Sequence, residues 1–230
     1  MKFGVVTFPG TNSDQDLIHA LGQLLGQQVV PLWHRDADVQ GCDWVLLSGG
    51  FSYGDYLRSG AIARFSPIMQ AVYRHAERGG YVLGICNGFQ ILTEAGLLPG
   101  ALLHNRSTTF VCDSVYLKPA TLNSPLTRGL QASQVYKIVI AHGEGNYYAP
   151  ADTLRQLQDQ DQILFQYTDA QGQPTDAANP NGSLLNIAGV MNAGRNVFGM
   201  MPHPERCADP LLGNADGLAI LQSLVQAVPA

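Results

Sequence analysis

The sequence has few charged residues, no basic stripe and no long apolar run. Charged residues make up 13% of the 230 residues and the formal net charge is -5, which argues against a nucleic-acid-binding protein. No run reaches the roughly 20 apolar residues that a membrane-spanning helix needs. The N-terminus, MKFGVVTFPG, enters a strand at once instead of presenting a signal sequence. We therefore expect a cytoplasmic protein with neither nucleic-acid nor membrane partners.

The cysteines also lack the spacing of a metal site. They are scattered without any CxxC pair, which favours reduced thiols over a zinc site or a disulfide framework. The sequence thus predicts no metal site. The four are Cys42, Cys86, Cys112 and Cys207.

The order of apolar and helical stretches predicts an α/β fold in a single domain, residues 1–230. Strands KFGVVTF, QVVPLW, WVLLS and YVLGI alternate with helices over 13–25 and 61–78, as in a doubly wound, mostly parallel sheet. Strands TTFVCDSVYLK, VYKIVIAHGEG and QILFQYTDAQG then predict an antiparallel extension, before NVFGMMP returns to the sheet. A helix over 215–228 closes the chain, and residues 169–183 are rich in turn formers and predict a loop.

Cys86 stands between two glycines in the stretch YVLGICNGFQ. The apolar run Tyr81–Ile85 predicts a buried strand and GFQILTEAG predicts a helix, so Cys86 falls at a strand-to-helix turn. A helix N-terminus favours the thiolate, which is the nucleophilic form of a cysteine. In a G-x-C-x-G turn the N–H of Asn87 points at a developing oxyanion. The alternative is a small buried cysteine at a strand end.

A histidine and an acid follow another apolar run in MMPHPERC. Residues two apart in extended chain face the same way, and the flanking prolines favour extended backbone, so His203 and Glu205 should lie side by side. A carboxylate there fixes the histidine tautomer and stabilises the imidazolium, as in a Cys-His-acid triad. A surface turn is the alternative for this segment alone. The order of the two segments, nucleophile then base at predicted strand ends, favours the triad.

Gly49 and Gly50 follow the strand WVLLS in LLSGGFSYGD. Glycines at this place let backbone N–H groups approach a ligand closely, as a second oxyanion donor requires. A phosphate loop is disfavoured, because no G-x-x-x-x-G-K-[ST] pattern follows and no lysine is near. Plain turn glycines remain the alternative.

Two loops have open roles. Asp55 and Arg58, in SYGDYLRSGAIA, could form a local ion pair, or their loop could contact a partner protein. The length of the loop favours the partner. The stretch PGTNSDQD matches a loose capping box starting at Thr11 or Ser13, and we interpret these residues as structural.

These segments together resemble the triad, or class I, glutamine amidotransferases. Within them, the chain resembles the PurQ-type glutaminase subunits of phosphoribosylformylglycinamidine synthase, over nearly its whole length. GICNGFQ and PHPE are typical of the superfamily, while GGFSYGDYLRSGA and HGEGNY are typical of this member. The resemblance implies a flavodoxin-like fold and hydrolysis of the side-chain amide of L-glutamine.

The resemblance also implies a role for each matching residue. Cys86 would attack the amide carbon, His203 would protonate the leaving ammonia and then activate water, and Glu205 would orient His203. The N–H groups of Gly50 and Asn87 would hold the thioester intermediate. For His142, a strand-end histidine bonded to backbone is the alternative to substrate binding. The residues implied for substrate binding are Gly49, Gly50, Asn87, Gln90, His142, Gly143 and Glu144.

The resemblance further implies a complex. Ammonia would pass to a synthetase subunit that makes formylglycinamidine ribonucleotide in purine biosynthesis, and a small accessory subunit would join them. ATP and Mg would bind the synthetase, so we expect no cofactor on this chain.

Two other functions remain open at this point. An elbow-cysteine hydrolase that acts on peptides or small carbonyl adducts shares the strand-cysteine-helix turn. Such enzymes usually place histidine directly after the cysteine, whereas Asn87 follows Cys86 here. A non-catalytic subunit that senses glutamine or stabilises a partner would keep the pocket and tolerate Cys86→Ala.

Overall fold

A computed structural model describes residues 1–227, which form eleven strands and five α-helices. The strands are β1 (Lys2–Thr7), β2 (Gln28–Trp33), β3 (Trp44–Leu47), β4 (Tyr81–Ile85), β5 (Ala101–Leu103), β6 (Val111–Pro119), β7 (Tyr136–His142), β8 (Asn146–Tyr148), β9 (Ile163–Thr168), β10 (Ile187–Met191) and β11 (Val197–Met200). The helices are α1 (Asp14–His19), α2 (Pro67–Glu77), α3 (Asn87–Glu94), α4 (Ala151–Asp159) and α5 (Asp216–Val225).

Nine strands form one sheet in the order β2-β1-β3-β4-β11-β10-β9-β6-β7. The first five are parallel to one another, and β10, β9, β6 and β7 continue the sheet with antiparallel pairing. A separate two-stranded ribbon pairs β5 with β8. The predicted α/β class, with a parallel part and an antiparallel extension, is confirmed. One sheet takes strands from nearly the whole described chain, and the single domain stays a prediction.

The middle of the parallel part is buried on both faces. Every residue of β3 and β11 is buried, as are all of β4 except Tyr81. Parallel strands that helices cover on both faces have this continuous apolar pattern. Helix α3 packs so closely behind β3 that a Cβ atom at Gly88 would lie 2.0 Å from the carbonyl oxygen of Leu47. Glycine at position 88 thus allows the N-terminus of α3 to sit against the sheet.

The helices follow the predictions with two corrections. The helix predicted over 13–25 is α1, continued by a π-helical turn, Ala20–Leu24. The helix predicted from residue 61 begins instead at Pro67, because the residue before a proline disfavours helical backbone and Ser66 is extended, with φ -63° and ψ 145°. The closing helix ends at Val225, and its predicted end at residue 228 lies outside the described residues.

Several elements were not predicted, namely α4, β10 and the β5-β8 ribbon. Helix α4 fully buries only Leu157, so its apolar stripe is weak. Strand β10 is buried at every position, so it lacks the alternation that marks a half-exposed strand. The predicted loop over 169–183 contains no strand and one short 3₁₀ turn, Asp176–Ala178, and is confirmed. No helix among residues 1–227 combines the length and apolarity needed to cross a bilayer.

Candidate active site

Cys86 lies at the turn between β4 and α3, as predicted. Its backbone has φ 50° and ψ -106°, a conformation that is strained for a residue other than glycine. The Cys86 N–H donates to the carbonyl of Met200 at the end of β11 (2.8 Å), which anchors the turn to the neighbouring strand. The side chain is 4% exposed and lines a cavity. The turn therefore holds the thiol at the carboxyl end of the parallel strands, where α/β sheets bind ligands.

His203 and Glu205 form a buried pair beyond the end of β11. Nδ1 of His203 lies 2.6 Å from Oε1 of Glu205, and the two residues are 1% and 4% exposed. The His203 N–H donates to the carbonyl of Val139, which ties the segment to β7 (2.9 Å). The predicted contact is confirmed, but the predicted extended chain is wrong. Pro204–Cys207 form a 3₁₀ turn, with Pro204 at its first position, and this turn brings the carboxylate to the ring.

The environment favours the protonated form of His203. Burial alone would lower its pKa, but the negative charges of Glu205 and Cys86 outweigh burial and raise the pKa of His203 to about 10. Nε2 of the ring is buried and makes no hydrogen bond within residues 1–227. His203 and Cys86 also share a neighbour, because a Cβ atom at Gly49 would lie 2.6 Å from Cε1 of His203 and 3.4 Å from Cβ of Cys86. The arrangement therefore places a charged imidazole close to the Cys86 turn.

The peptide between Gly49 and Gly50 has a fixed orientation. The carbonyl of Gly49 accepts hydrogen bonds from the N–H groups of Asn12 (3.1 Å) and Ser13 (3.3 Å), at the start of α1. The structure contains no cis peptide bond within the described residues, so the Gly50 N–H points opposite to that carbonyl. Gly50 lines the cavity that contains Cys86. The Gly50 N–H is thus directed away from the N–H groups of Asn12 and Ser13.

The Ser13 side chain holds the preceding peptide, between Ser48 and Gly49, and it does not cap α1. Its hydroxyl accepts a hydrogen bond from the Gly49 N–H (2.8 Å) and makes no capping bond. The Thr11 hydroxyl accepts from the Phe8 N–H instead (2.9 Å). The predicted capping box is wrong, because the Ser13 hydroxyl bonds to the Gly49 N–H and not to an N–H group of α1.

The cavity beside Cys86 has a volume of about 150 Å³. A cavity of this volume holds a molecule of about the size of benzene in other proteins, so one small amino acid suits it better than a nucleotide. Gly50, Cys86, Gln90, His142, Gly143 and Glu144 line it, together with Phe51, Asp55, Ser59, His104, Phe110 and Ala141. Five of the seven predicted binding residues therefore line one cavity with Cys86, namely Gly50, Gln90, His142, Gly143 and Glu144.

Asn87 and Gln90 connect the α3 turn to the segment around Glu144. The Asn87 side chain accepts from the Ser52 N–H (3.1 Å) and donates to Oε1 of Gln90 (2.9 Å). Nε2 of Gln90 donates to the carbonyl of Glu144 (2.6 Å). The Asn87 N–H stands in the first turn of α3, where a helix offers it no acceptor. These two side chains thus fix the loops around the cavity.

His142 ends β7 and is neutral. Burial, and then the positive charge of His203, lower the pKa of His142 to about 4. Oδ1 of Asn105 accepts from Nδ1 of His142 (3.1 Å) and from the Gly145 N–H (3.0 Å), so the ring proton lies on Nδ1. Nε2 is a buried acceptor with no partner among the described residues. The histidine is therefore held by a side chain, in contrast to the backbone bond considered as the alternative.

Asp55 and Arg58 do not form the local ion pair that was one of the two alternatives. Arg58 instead donates two hydrogen bonds to Glu94 on α3, both 2.6 Å long. Asp55 faces the cavity. Burial, and then the charge of Glu144, raise the pKa of Asp55 to about 6, although the Ser59 hydroxyl lowers it.

The other cysteines lie apart from this cavity. Cys42 and Cys207 are buried and Cys112 is exposed, and none of the four cysteines forms a disulfide. Cys207 accepts a hydrogen bond from the Val139 N–H, which fits a structural role (3.4 Å). Within the described part of the chain, no group of three or more histidine, cysteine or acidic side chains is placed to hold a metal ion.

Three residues that support the site were not predicted from the sequence. Asn105 orients His142. Asn181 donates to the carbonyl of Gly145 (2.8 Å), the residue whose N–H bonds to Asn105. Ser13 holds the Gly49 N–H. Asn105 and Asn181 stand in polar segments without a flanking motif, so only their burial, at 1% and 0% exposure, distinguishes them from loop residues.

The chain is similar to known proteins over almost its full length. Residues 1–216 match the CobB/CobQ-like glutamine amidotransferase domain. Phosphoribosylformylglycinamidine synthase subunit PurQ of Moorella thermoacetica is 59% identical over 225 residues, 98% of this chain and 95% of that protein. The subunit of the same name from Acaryochloris marina is 54% identical and covers 100% of this chain and 98% of its own length.

Solved structures show the same fold. A chain in the structure of PurLQS from Thermotoga maritima has a TM-score of 0.86 and 39% sequence identity, and the match covers 98% of this chain and 97% of that one. A glutamine amidotransferase of the same organism, only 14% identical, shares the fold with a TM-score of 0.63 over 98% and 96% of the two chains. With an elbow cysteine, a buried His-Glu pair and these full-length relatives, the chain belongs to the glutamine amidotransferases, in the family of PurQ subunits of phosphoribosylformylglycinamidine synthase.

Proposed function

We propose that this chain hydrolyses the side-chain amide of glutamine to glutamate and ammonia, with Cys86, His203 and Glu205 as its catalytic residues. The observation that carries the proposal is the placement of Cys86. Its thiol stands at a strained strand-to-helix turn, in a cavity the size of one small amino acid, next to an imidazole that a buried carboxylate charges. The family supports this reaction, which needs a nucleophile, an acid–base group and a residue that orients the acid–base group.

In the first half of the reaction the Cys86 thiolate attacks the amide carbon of glutamine. The oxygen of that carbon gains negative charge, and the N–H groups of Gly50 and Asn87 stabilise it. His203, held as an imidazolium by Glu205, donates its proton to the amide nitrogen. The carbon–nitrogen bond breaks, ammonia leaves, and a γ-glutamyl thioester remains on Cys86.

In the second half His203 is neutral and acts as a base. It takes a proton from a water molecule while the water oxygen attacks the thioester carbon. The carbon–sulfur bond then breaks, which releases glutamate and restores the thiolate beside the imidazolium. One glutamine and one water thus give one glutamate and one ammonia, with no net change on the protein.

The ammonia would serve a synthetase subunit, as the PurLQS relative suggests. The mouth of the cavity offers a surface for that contact, because Tyr56 and Leu57 directly follow the cavity-lining Asp55 and are 73% and 88% exposed. Phe51 and Phe110, also in the cavity wall, are half exposed, with ring centroids 6.2 Å apart. We infer that a synthetase docking here would close the cavity to water. The accessory subunit, the ATP and Mg of the synthetase and the cytoplasmic location stay predictions.

The test is Cys86→Ala in the complex with the synthetase. We expect glutamine-dependent synthesis of formylglycinamidine ribonucleotide to be lost, while synthesis from added ammonium salt stays at the level of the unsubstituted complex. Cys112→Ala is the matched control, since Cys112 is exposed and outside the cavity, and it should retain both activities. Full glutamine-dependent synthesis by Cys86→Ala would refute the proposal and favour a non-catalytic subunit.

Labelling adds a second readout on the substrate. The electrophilic glutamine analogue 6-diazo-5-oxo-norleucine should modify Cys86, and excess glutamine should prevent this, as followed by peptide mass mapping. Modification of Cys112 or Cys207 in the complex, or a lack of protection by glutamine, would contradict the assigned pocket.

A further inference from the structure

Asp55 lies in the wall of the cavity that contains Cys86, and the mechanism above does not use it. Its Oδ1 atom is buried and has no hydrogen-bond partner within the described residues. Its backbone is in the left-handed region, with φ 53°, and such strain in a non-glycine residue is often found at functional sites. A buried carboxylate oxygen without a partner is costly unless a ligand satisfies it.

A second carboxylate, Glu144, lines the same cavity. The two are near enough for the charge of Glu144 to act on Asp55. No lysine or arginine is among the described residues of the wall, and Arg58 is bound to Glu94. His104, whose Nδ1 lies 3.6 Å from Oε1 of Glu144, is a mostly exposed side chain. The cavity thus carries two negative charges that no fixed cation offsets.

We propose that Asp55 is a specificity residue that binds the α-ammonium group of the substrate, with Glu144 as the second carboxylate. The inference rests on the glutaminase function proposed above. The reacting amide must lie at Cys86, so the ammonium group lies elsewhere in the same small cavity, where Asp55 and Glu144 are the only carboxylates among the described residues. An ammonium group offers three donors and would satisfy the unpartnered Oδ1 atom.

The proposal predicts which molecules the site accepts. Amides that carry an α-ammonium group should bind, and glutaramate, which is glutamine without that group, should bind poorly. Removing the charge of Asp55 should remove this preference. If Asp55 had only a structural role, its substitution would instead weaken the binding of L-glutamine and glutaramate equally.

The experiment compares the two ligands in the complex with the synthetase, in a Cys86→Ala background that prevents reaction. Dissociation constants for L-glutamine and glutaramate are measured by calorimetry with and without Asp55→Asn. We expect Asp55→Asn to weaken L-glutamine binding by about 10- to 100-fold and to leave glutaramate binding unchanged. Asp152→Asn, which removes one negative charge from an exposed residue of α4, is the matched control and should change neither constant.

Other outcomes have distinct meanings. An equal loss for both ligands, or no loss for either, would overturn the role of Asp55 while leaving the glutaminase function intact. Failure of the unsubstituted chain to bind or hydrolyse glutamine would overturn the proposed function itself.

A pH series on the chain with intact Asp55 covers the case in which Asp55→Asn does not fold. The preference for L-glutamine over glutaramate should fall as the pH drops through about 6, because Asp55 then becomes neutral. Glu144, His104 and His142 line the same cavity, and His142 stays neutral over this range. The series is repeated with His104→Asn, which removes the other histidine of the cavity wall. A preference that does not change with pH, or a change that His104→Asn abolishes, would overturn the proposal.

Discussion

Replacing Gly49 by alanine would push a methyl group against the imidazole of His203. The new Cβ atom would lie 2.6 Å from Cε1 of His203 and 3.0 Å from the hydroxyl of Ser13. An ordinary contact begins near 3.4 Å, so the ring would have to move by roughly 0.8 Å, which is 3.4 minus 2.6. The ring cannot do this freely, because Glu205 holds Nδ1 at 2.6 Å and the residue is 1% exposed.

The expected result is a folded protein with a misplaced proton donor. A misplacement of about 1 Å can reduce a rate by about 100-fold, and overpacking of a buried site costs about 1 to 3 kcal/mol of unfolding free energy. We therefore expect Gly49→Ala to lower glutamine-dependent synthesis in the complex by about 100-fold. Ammonia-dependent synthesis, which does not need this site, should be unchanged. Rates of both reactions and thermal unfolding of the chain measure the two effects.

Gly22→Ala is the matched control for this substitution. Gly22 lies in the π-helical turn after α1, and its new Cβ atom would be 3.6 Å from the nearest atom of Val29. That distance is an ordinary contact, so neither rate should change. A folded Gly49→Ala chain with a glutamine-dependent rate within about twofold of the unsubstituted one would refute the reasoning, since the imidazole could then move without consequence.

Glu205→Gln removes the charge that holds the pKa of His203 up, and we expect it to reduce glutamine-dependent synthesis by roughly 100-fold or more. The raised pKa of His203 in the folded state stabilises the chain fully below the unfolded pKa of 6.5, and this stabilisation is lost as the pH rises through about 10. Urea unfolding of the unsubstituted chain should show that decline in the free energy of unfolding. An equal decline in Glu205→Gln would contradict the role of the Glu205 charge. Ser13→Ala removes the acceptor of the Gly49 N–H and so loosens the peptide that precedes Gly49–Gly50. The value of kcat for glutamine hydrolysis in the complex should then fall about tenfold with little change in KM, and Ser13→Thr should restore it. Equal effects of Ser13→Ala on kcat and KM would mean that the serine shapes the cavity and does not position the Gly50 N–H.

Local sequence patterns predict the parallel part of the fold well and the rest less well. Strands such as β4 follow from apolar runs beside glycines, and the helix after Cys86 follows from its own apolar stripe. The start of α2 was misplaced because the effect of Pro67 on Ser66 outweighs the helical pattern that precedes it. Strand β10 was missed because its five buried residues have no alternation, although the turn formers between it and β11 mark a hairpin.

Local sequence patterns likewise predict some residues of the site and miss others. Cys86, His203 and Glu205 could be proposed from the sequence because each stands in a short motif at a strand end. Asp55 was paired with Arg58 because they are three residues apart, whereas the folded chain offers Arg58 a better partner in Glu94, 36 residues away. Long-range partners of this kind leave no mark in the local sequence.

The two histidines of the site show why the residue type alone does not give the role. His203 and His142 are both buried, and His203 pairs with Val139 of β7, the strand that ends at His142. His203 has the carboxylate of Glu205 on Nδ1 and is charged, whereas His142 has the neutral amide of Asn105 on Nδ1 and is uncharged. The charge on His203 also lowers the pKa of His142, so the charged state of His203 favours the neutral state of His142. In the proposed mechanism His203 can therefore donate a proton, whereas Nε2 of His142 stays an acceptor, and the partner of Nδ1 accounts for the difference in each case.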